Sequence, residues 1–408
     1  MMQTAAILWH VSLLVPPDRK GLALGLVGLV RVVPIVAFSL FSGVVADVLD
    51  RRRVMLATQA TMGVLAAILA ALAFQGLRSV WPIYVLAALT SAASAFDAPA
   101  RQSLIPNLVP REHLPNALSL NTIVFQAASV AGPSLAGLVI GAGGVAWAYA
   151  INALSFVAVI VGVLLMRDVK ATSATEAGEI SVAAAREGIR FVFASPMIRS
   201  TMLLDFFATF FASATALLPI FAQDVLRVGA HGYGLLYAAP SAGALVASVA
   251  MVREADRVRH RGRTLLWAVA AYGLATVVFG VSRSFWLTFA CLAASGAADT
   301  VSTVFRNVIR QLETPDHLRG RMVGVNMVFF MGGPQLGELE AGAVANWLGA
   351  TFSVVSGGVG CLVAVVWVAA TTPALRQYRA EKPHVISTTP DISDAVHVAP
   401  QAVENPNQ

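Results

Sequence analysis

The sequence predicts an all-α membrane protein built from two bundles of helices, and three observations lead to this. Hydrophobic residues make up 57% of the 408 residues and charged residues only 12%, with a mean hydropathy of +0.73. A soluble domain carries about 25% charged residues to solvate its surface. The chain is also a series of apolar runs of about 20 residues, the length that crosses a bilayer core, separated by short loops rich in arginine. Lipid is therefore the expected solvent.

Eleven of the apolar runs are long enough to cross the hydrocarbon core, which takes about 20 residues of helix. The predicted crossings are 21–47, 54–75, 80–101, 117–141, 145–166, 198–224, 231–252, 264–282, 285–309, 322–346 and 351–372.

The first apolar segment, Gln3–Val15, is too short to be a crossing. As a helix it spans roughly 20 Å, against a core about 30 Å thick, and it ends at the turn signal Pro16-Pro17-Asp18. It lacks the basic leader and the small-residue cleavage site of a signal peptide. We therefore expect it to be the second half of a first helix whose start is missing, through a misplaced start codon.

Arginine and lysine are divided unequally between the two sides of the membrane. If the first segment runs outward, one side receives most of them, including Arg51, Arg306 and Arg310. Because cytoplasmic loops carry this excess, we expect a multi-pass protein of the bacterial inner membrane with a cytoplasmic C-terminus. The same loops explain the net charge of +6 and the pI near 9.7 without a nucleic-acid partner.

The spans divide six and six when the partial first helix is counted. The expected units are an N-terminal bundle at 1–166, a cytoplasmic linker at 167–197 with an amphipathic surface helix, a C-terminal bundle at 198–372 and a disordered tail at 373–408. The motif Gly132-Pro133 in the first half and Gly333-Pro334 in the second form a weak repeat. Repeated halves with a site between them are typical of secondary transporters.

Other function classes lack their motifs. A nucleotide-driven pump needs a GxxxxGK[ST] loop, but none of Lys20, Lys170 and Lys382 follows a glycine. A channel usually draws its pore ring from several subunits, whereas two halves suit a monomeric carrier. The histidines show no metal-ligand spacing, and no nucleophile–base pair is apparent. The sequence therefore predicts no enzyme, no metal site and no cofactor.

One loop resembles a known family. In the segment GVVADVLDRRR, Gly43, Asp47, Arg51 and Arg52 match the signature loop of the major facilitator superfamily. Val48 stands where that signature has a basic residue, and Asp50 where it has glycine. The resemblance implies the major facilitator fold, with two pseudo-symmetric six-helix bundles.

A second segment is similar to a branch of that superfamily. The residues from Phe96 to Pro110, with Asn116 and Asn121, look like the enterobactin-exporter-like branch, whose members are also called transmembrane secretion effectors. Gly132-Pro133 through Gly137 partly resembles the motif of proton-coupled exporters. The resemblance implies export of a small amphipathic molecule, siderophore-like or a drug, in exchange for protons. An importer of the same fold and an inactive scaffold or sensor remain alternatives.

The signature residues are expected to form a conformational latch on the cytoplasmic side. A negative charge at the C-terminus of a helix is unfavourable, so Asp47 needs cations, and we expect it to bond Arg101, Arg321 or both. Asp97 lies one turn before Arg101, so an i,i+4 ion pair is expected there. A solvated loop acid is the alternative for Asp47.

Charged residues inside a span usually have a partner and a role. Arg31, in the second helix, and Glu338 and Glu340, in the eleventh, lie at similar depth. We expect Arg31 to pair with one of the two glutamates, since these lie about 200° apart around the helix. A proton or an anionic substrate would compete for the pair, and a static structural pair is the alternative.

The remaining polar candidates lie in three other spans. Asp205 and Asp299 are candidate coupling acids that would carry a proton; a turn toward the cytoplasmic loop is the alternative for Asp299. Asn121 and Gln126 are candidates to line a cavity, although hydrogen bonds between helices explain them equally well.

Overall fold

The computed structural model describes residues 1–48, 50–166, 182–213, 215–254, 257–315 and 318–379, and all regular elements in these ranges are helices. The N-terminal half contains α1 (Met2–Leu14), α2 (Lys20–Val48), α3 (Arg51–Phe74), α4 (Trp81–Leu108), α5 (Leu114–Gly143) and α6 (Val145–Leu165). The linker contributes α7 (Val182–Ala194). The C-terminal half contains α8 (Pro196–Phe211), the short α9 (Leu218–Ile220), α10 (Gly229–Glu254), α11 (Arg261–Val281), α12 (Phe285–Leu312), α13 (Arg319–Leu348), α14 (Ala350–Thr371) and the short α15 (Pro373–Gln377). The first part of the predicted linker, 167–181, and the predicted tail from 380 onward lie outside the described residues.

Most predicted crossings correspond to one long helix whose ends differ from the prediction by a few residues. Within the described ranges, ten helices are long and apolar enough to cross a membrane. α13 spans 30 residues but is not among them. It carries charged and amide side chains, and it packs between α2, α8 and α14. Polar residues in a membrane helix are tolerated where they face protein, so the polarity of α13 is consistent with its position against three other helices.

The predicted crossing at 198–224 is not one continuous helix. α8 ends at Phe211, and the chain then forms a 3-10 turn at Thr215–Leu217, α9, and a π turn at Phe221–Val225. The residues of these turns are largely buried against both halves.

The packing of the helices repeats from one half to the other. In the N-terminal half α2 packs on α4, α3 on α6, and α1 on α5; in the C-terminal half α10 packs on α12, α11 on α14, and α8 on α13. The contacts between the halves obey the same symmetry, since α2 packs on α13 and α10 on α5. The two halves are therefore pseudo-symmetric bundles, as predicted.

Two single-residue connections occupy equivalent places in the halves. Gly144 joins α5 to α6 with φ 88°, and Gly349 joins α13 to α14 with φ 90°. A residue with a side chain is strained in this region of φ, which favours glycine. The linker helix α7 packs on α8 and α13, so it belongs to the C-terminal half.

Among the described residues, the apolar core is continuous between the halves at one end of the molecule and divided at the other. At the continuous end, one buried cluster joins α1 and α6 to the turns after α8, with Trp9, Tyr149 and Phe221 among its members. At the opposite end, the cluster around Leu104 in the N-terminal half is separate from the cluster around Ile309 in the C-terminal half. We call the first the sealed end and the second, which carries the loops with Arg51–Arg53 and Arg319–Arg321, the open end.

Candidate functional site

Glycines bring α2 and α13 into backbone contact at the sealed end. A β-carbon added to Gly21 would lie 2.6 Å from the carbonyl oxygen of Gly342 and 2.8 Å from the amide nitrogen of Asn346. One added to Gly25 would lie 2.8 Å from the carbonyl oxygen of Glu338. Small residues let helix backbones approach in this way. The seam therefore depends on glycine at each contact.

The second seam, between α5 and α10, is built in the same way. A β-carbon on Gly137 would lie 2.6 Å from the carbonyl oxygen of Ala230 and 2.7 Å from the Cα atom of Gly234. Gly141 lies against the imidazole ring of His231. The two seams thus close the sealed end on both sides of the pseudo-symmetry axis.

Polar contacts add to the seams at the same end. Lys20 Nζ donates to Gln223 Oε1 at 3.1 Å and lies 3.3 Å from Asp224 Oδ2. Gln223 Nε2 donates to Ser12 Oγ at 2.7 Å, and Tyr233 Oη donates to the carbonyl oxygen of Ala5 at 2.9 Å. Each contact joins one half to the other. All must break before the halves separate at this end.

The helix faces that pack between the halves at the sealed end become exposed toward the open end. Val252 lies five helical turns beyond Gly234 on the same face of α10, and it is 86% exposed. On α5, Ile123 shares the face of Gly137 to within about 40° and is 61% exposed. On α13, Met327 lies about three turns before Glu338 and is 49% exposed. The halves therefore enclose a cleft that opens at one end.

Arg31 and Glu338 lie where the cleft meets the sealed end. The Oε2 atom of Glu338 would be 2.6 Å from a β-carbon on Gly28, so the carboxylate lies on the α2 surface. Arg31 follows Gly28 by almost one turn, and its charge interacts with that of Glu338. Tyr237 of α10 lies close enough to Arg31 and Glu338 for both charges to interact with its phenol. A cation, an anion and a phenol are thus gathered at the apex of the cleft.

The direct ion pair expected for Arg31 is not formed in this conformation. Among the described residues, no carboxylate oxygen of Glu338 or Glu340 lies within 4.0 Å of the guanidinium. Arg31 lies about 60° around α2 and almost one turn from Gly28, against which the carboxylate of Glu338 lies. Glu338 is the glutamate that faces α2, and Glu340 lies about 200° away from it around α13.

Asp205 is enclosed in a buried ionic network in the C-terminal half. Its Oδ1 atom lies 2.9 Å from Arg306 Nη1, and its Oδ2 atom lies 3.5 Å from Arg310 Nη2. Arg310 also donates to the Thr201 carbonyl at 3.0 Å and to the side chain of Asn326. The network links α8, α12 and α13. It was not predicted, because Arg306 and Arg310, at the end of the predicted crossing 285–309, were counted among the cytoplasmic charges.

Neither side chain is a solvated loop charge. Arg306 and Arg310 belong to the last two turns of α12, and their side chains are 2% and 3% exposed. Burial of a charge requires partners, which Asp205 of α8 supplies. The spacing of Arg306 and Arg310 at i and i+4, with Ile309 between them, was the signal that one face of the helix continues past the predicted end.

Asp299 lies at the edge of the network and lines a cavity. Its Oδ1 atom is 3.4 Å from Arg306 Nη2, while 45% of its side chain is exposed. The cavity, of about 130 Å³, lies between α8, α10, α11 and α12 and is also lined by Tyr272, Thr276 and Ser295. The hydroxyl groups of these three residues donate to backbone carbonyls. The cavity therefore offers oxygen acceptors beside a carboxylate.

The expected contact between Asp97 and Arg101 is present in α4. Arg101 Nε lies 3.8 Å from Asp97 Oδ2, and the arginine side chain is 57% exposed. Asp97 is buried and accepts hydrogen bonds from Gln59 at 2.8 Å and Thr58 at 3.1 Å. Its carboxylate thus joins α4 to α3. The latch role of these residues stays a prediction.

The signature loop is described only in part. Gly43 and Asp47 lie in the helical backbone of α2, but their side chains, and hence the expected bonds of Asp47, lie outside the described residues. Arg51 begins α3. Arg52 donates to the carbonyls of Val163 at 3.1 Å and Leu164 at 2.7 Å. Arg52 therefore caps the C-terminus of α6, a contact that stabilises a helix end.

Asp50 and Arg321 make further described contacts at this end. Asp50, which stands where the signature has glycine, caps α3 by accepting from the amides of Arg52 at 2.9 Å and Arg53 at 3.3 Å. Arg321, an expected partner of Asp47, pairs with Glu187 of the linker helix. An aspartate before the first turn is a known cap signal.

The two amide candidates lie in different places on α5. Gln126 lies about 20° from the direction of Gly137 around the helix and is partly buried, so it faces the cleft just beyond the seam. Asn121 lies about 160° from that direction and is exposed. The structure therefore orients Gln126, but not Asn121, toward the cleft.

A known family matches almost the whole chain. The model of the transmembrane secretion effectors covers residues 1–399. This chain belongs to that family. The predicted resemblance is thereby confirmed, and the secretion effector is a multi-pass membrane transporter of the major facilitator type and not an enzyme.

Individual relatives agree with this assignment. The chain is similar to the enterobactin exporter EntS of Escherichia coli O1:K1, with 27% identity over 346 residues, 85% of this chain and 82% of the relative. The EntS of Shigella boydii serotype 18 matches with the same identity and coverage.

Solved structures of transporters share the fold. A bacterial homologue of the iron transporter ferroportin, in an inward-facing state, aligns with a TM-score of 0.65 at 16% identity, over 92% of this chain and 96% of that one. A D-xylose–proton symporter aligns with a TM-score of 0.69 at 12% identity, over 90% of this chain and 93% of that one. At these identities the likeness concerns the fold alone.

Proposed function

We propose that the secretion effector exports a small amphipathic molecule, a siderophore-like compound or a drug, in exchange for protons and by alternating access. The observation that carries the proposal is the cleft between the halves, open at one end, with Arg31 and Glu338 at its closed apex and Gln126 on its α5 wall. A carrier of this kind binds its substrate between repeated halves near the middle of the membrane.

The orientation follows from the charges of the loops. The open end carries the arginine-rich loops, and such loops are cytoplasmic in most membrane proteins. We therefore place the open end, and with it the C-terminus, on the cytoplasmic side of the bacterial inner membrane. In this conformation the cleft receives a molecule from the cytoplasm, which is the loading state of an exporter.

The lining of the cleft favours an amphipathic substrate with an anionic group. Met327 and Ile123 supply apolar walls, Gln126 supplies an amide, and Arg31 supplies a positive charge at the apex. Enterobactin, the compound named for the relatives, is therefore the first compound to test. Glu338 is placed to compete with such a substrate for the charge of Arg31.

Glu338 is our first candidate for the proton-coupling group, and Asp299 is the second. Each is a carboxylate in a span that borders a cleft or a cavity and lacks a complete set of cationic partners. Asp205, by contrast, has an arginine at each oxygen, so we assign it a structural role. Exchange of one proton at Glu338 for one substrate at Arg31 would couple proton entry to substrate export.

The latch is proposed to act in the opposite conformation. The described contacts of Arg52 and Arg101 lie within the N-terminal half, because the cleft is open at this end. When the halves close here, Gly43, Asp47, Arg51, Arg52, Asp97 and Arg101 would meet the start of α13 and hold the closed state.

The proposal is tested by transport with a matched pair of variants. Everted vesicles containing Glu338→Gln, Glu340→Gln or the unchanged chain are given an inward-acid pH gradient and enterobactin. We expect gradient-driven accumulation for the unchanged chain and for Glu340→Gln, and its loss for Glu338→Gln. Equal accumulation in both variants would remove Glu338 from the mechanism. Accumulation only in right-side-out vesicles would indicate an importer, and transport without a gradient would end the proton-coupling proposal.

Alternation itself is tested at the glycine seam. In Gly137→Ala the new methyl group would overlap the backbone of α10, and overpacking costs about 1–3 kcal/mol. The state that is sealed at this end should lose population by about 5- to 150-fold. We expect slower export of the test substrate, with Gly162→Ala in α6 as control because no atom lies within 4 Å of its added carbon. Identical export by the two variants would contradict a seam that opens and closes.

A further inference from the structure

A groove runs along the outer surface of the C-terminal half, away from the cleft. It lies between α11, α14 and α15 at the open end and has a volume of about 760 Å³. Its walls are mostly apolar and include Leu266, Val365, Val366 and Ala369. No step of the proposed transport cycle uses it.

Two arginines stand at the mouth of this groove. Arg263 lies in the first turn of α11, and Arg376 lies in α15, which follows directly on the end of α14. Both side chains are exposed. In the described part of the chain neither has a carboxylate within 4.0 Å. The mouth therefore holds two positive charges that the protein does not neutralise.

The positive charge at the mouth comes from these two side chains. The first turn of α11 has no side-chain cap, but the carbonyl oxygen of Tyr378 accepts from the amide of Gly262 at 3.3 Å. Arg263 and Arg376 are therefore the groups that an anion would contact.

The groove faces the hydrocarbon of the bilayer. Trp267, one turn above Arg263, is 75% exposed, and Val366 is 69% exposed. From Arg263 to Ala270 the groove extends about 10 Å along α11. Charges at the membrane surface and an apolar channel rising from them match a phospholipid, headgroup and acyl chain together. Tryptophan is also typical of the depth at which headgroups meet the hydrocarbon.

We propose that this groove is a binding site for one anionic phospholipid of the cytoplasmic leaflet. The phosphate and its second anionic or hydroxyl group contact Arg263 and Arg376, and one acyl chain lies along Trp267, Val366 and Ala369. A zwitterionic lipid binds less well because its ammonium group lies beside the arginines.

Binding is measured on the purified full chain with phosphatidylglycerol and with phosphatidylcholine of identical acyl chains, by native mass spectrometry. We expect retention of one phosphatidylglycerol. In the Arg263→Ala/Arg376→Ala variant its affinity should fall about 30-fold, since each arginine near an anionic surface contributes a factor of about five. The matched control is Arg190→Ala/Arg253→Ala, which removes the same charge from exposed positions at the same end outside the groove. An equal fall in both double variants would overturn the proposal.

A second measurement does not depend on the arginine variants. Brominated phosphatidylglycerol should quench the fluorescence of Trp267, identified by its loss in Trp267→Phe, more than brominated phosphatidylcholine does. Glycerol 3-phosphate, which lacks acyl chains, should not displace the lipid; full displacement would indicate a free-phosphate site and overturn the proposal. Hydrogen exchange that protects residues 380–408 in phosphatidylcholine alone, and loses that protection in the arginine variant, would place this chain's own tail in the groove and also overturn it.

Discussion

The equivalent helices α4 and α12 carry different ionic groups at the open end. In α4, Asp97 is buried but its partner Arg101 is more than half exposed. In α12, Arg306 and Arg310 are both buried and are joined to Asp205 of α8. The fold repeats between the halves, whereas the electrostatics do not.

The difference indicates that the helices of the two halves are held together with different strength at this end. A buried network across α8, α12 and α13 resists any relative movement of these helices, because separating buried charges is unfavourable. The pair in α4 is partly in water, where an ion pair is weak. We therefore expect the C-terminal half to move as a rigid body and the partners of α4 to rearrange.

The largest effect is expected from Asp205→Asn. The change leaves the buried Arg310 without a counter-charge and Arg306 with Asp299 alone, and breaking a buried pair in this way costs about 3–5 kcal/mol. Thermal unfolding of the purified protein in detergent should show a much lower midpoint. Asp224→Asn is the control, since its partner is Lys20 and half of its side chain is exposed. An unchanged midpoint for Asp205→Asn would mean that the network does not stabilise the C-terminal half, and it would contradict the comparison between the halves.

A smaller effect is expected from Asp97→Ala in the N-terminal half. The buried amide of Gln59 loses its acceptor, and an unsatisfied buried group costs about 1–3 kcal/mol. Asp97→Asn keeps an oxygen for Gln59 and Thr58 but removes the charge that Arg101 contacts. The midpoint of thermal unfolding should therefore decrease for Asp97→Ala and change little for Asp97→Asn. Equal decreases would show that the ion pair, and not the link to α3, stabilises this half.

The smallest effect on stability is expected from Arg101→Ala. An exposed ion pair contributes about 0.2–1 kcal/mol, so the unfolding midpoint should move little. If Arg101 belongs to the latch, the export rate changes although stability does not, and the two measurements together separate these roles. A loss of stability as large as that of Asp205→Asn would contradict the comparison between the halves.

The fold was largely predictable from the sequence because length and apolarity alone define a membrane helix. The crossings α3, α6 and α14 follow directly from runs bounded by arginine or glycine. The interruption after Phe211 was not predicted, because the run 198–224 is apolar enough on average to pass as one crossing. Pro219, which disfavours the interior of a helix, was its local signal. The polar α13 was recognised because its charges are few and widely spaced.

The candidate site was predictable only in part. Glu338 and Arg31 stand out as charges within apolar runs, and their depth follows from helix rise. Their angular offset does not, because it depends on how α2 and α13 cross. Arg306 and Arg310 look like loop charges until Asp205, about a hundred positions away, is known to lie beside them. Long-range pairing of this kind leaves no local pattern.

The single-glycine turns at Gly144 and Gly349 have a mechanical consequence. Each ties a seam helix, α5 or α13, to an outer neighbour, α6 or α14, with no slack between them. Neither α5 nor α13 has the spare chain to slide along its own axis while its neighbour stays in place. When the cleft opens on the opposite side of the membrane, the two helices of each pair must therefore move together. Lengthening either turn by a few residues should uncouple this movement while leaving both helices intact.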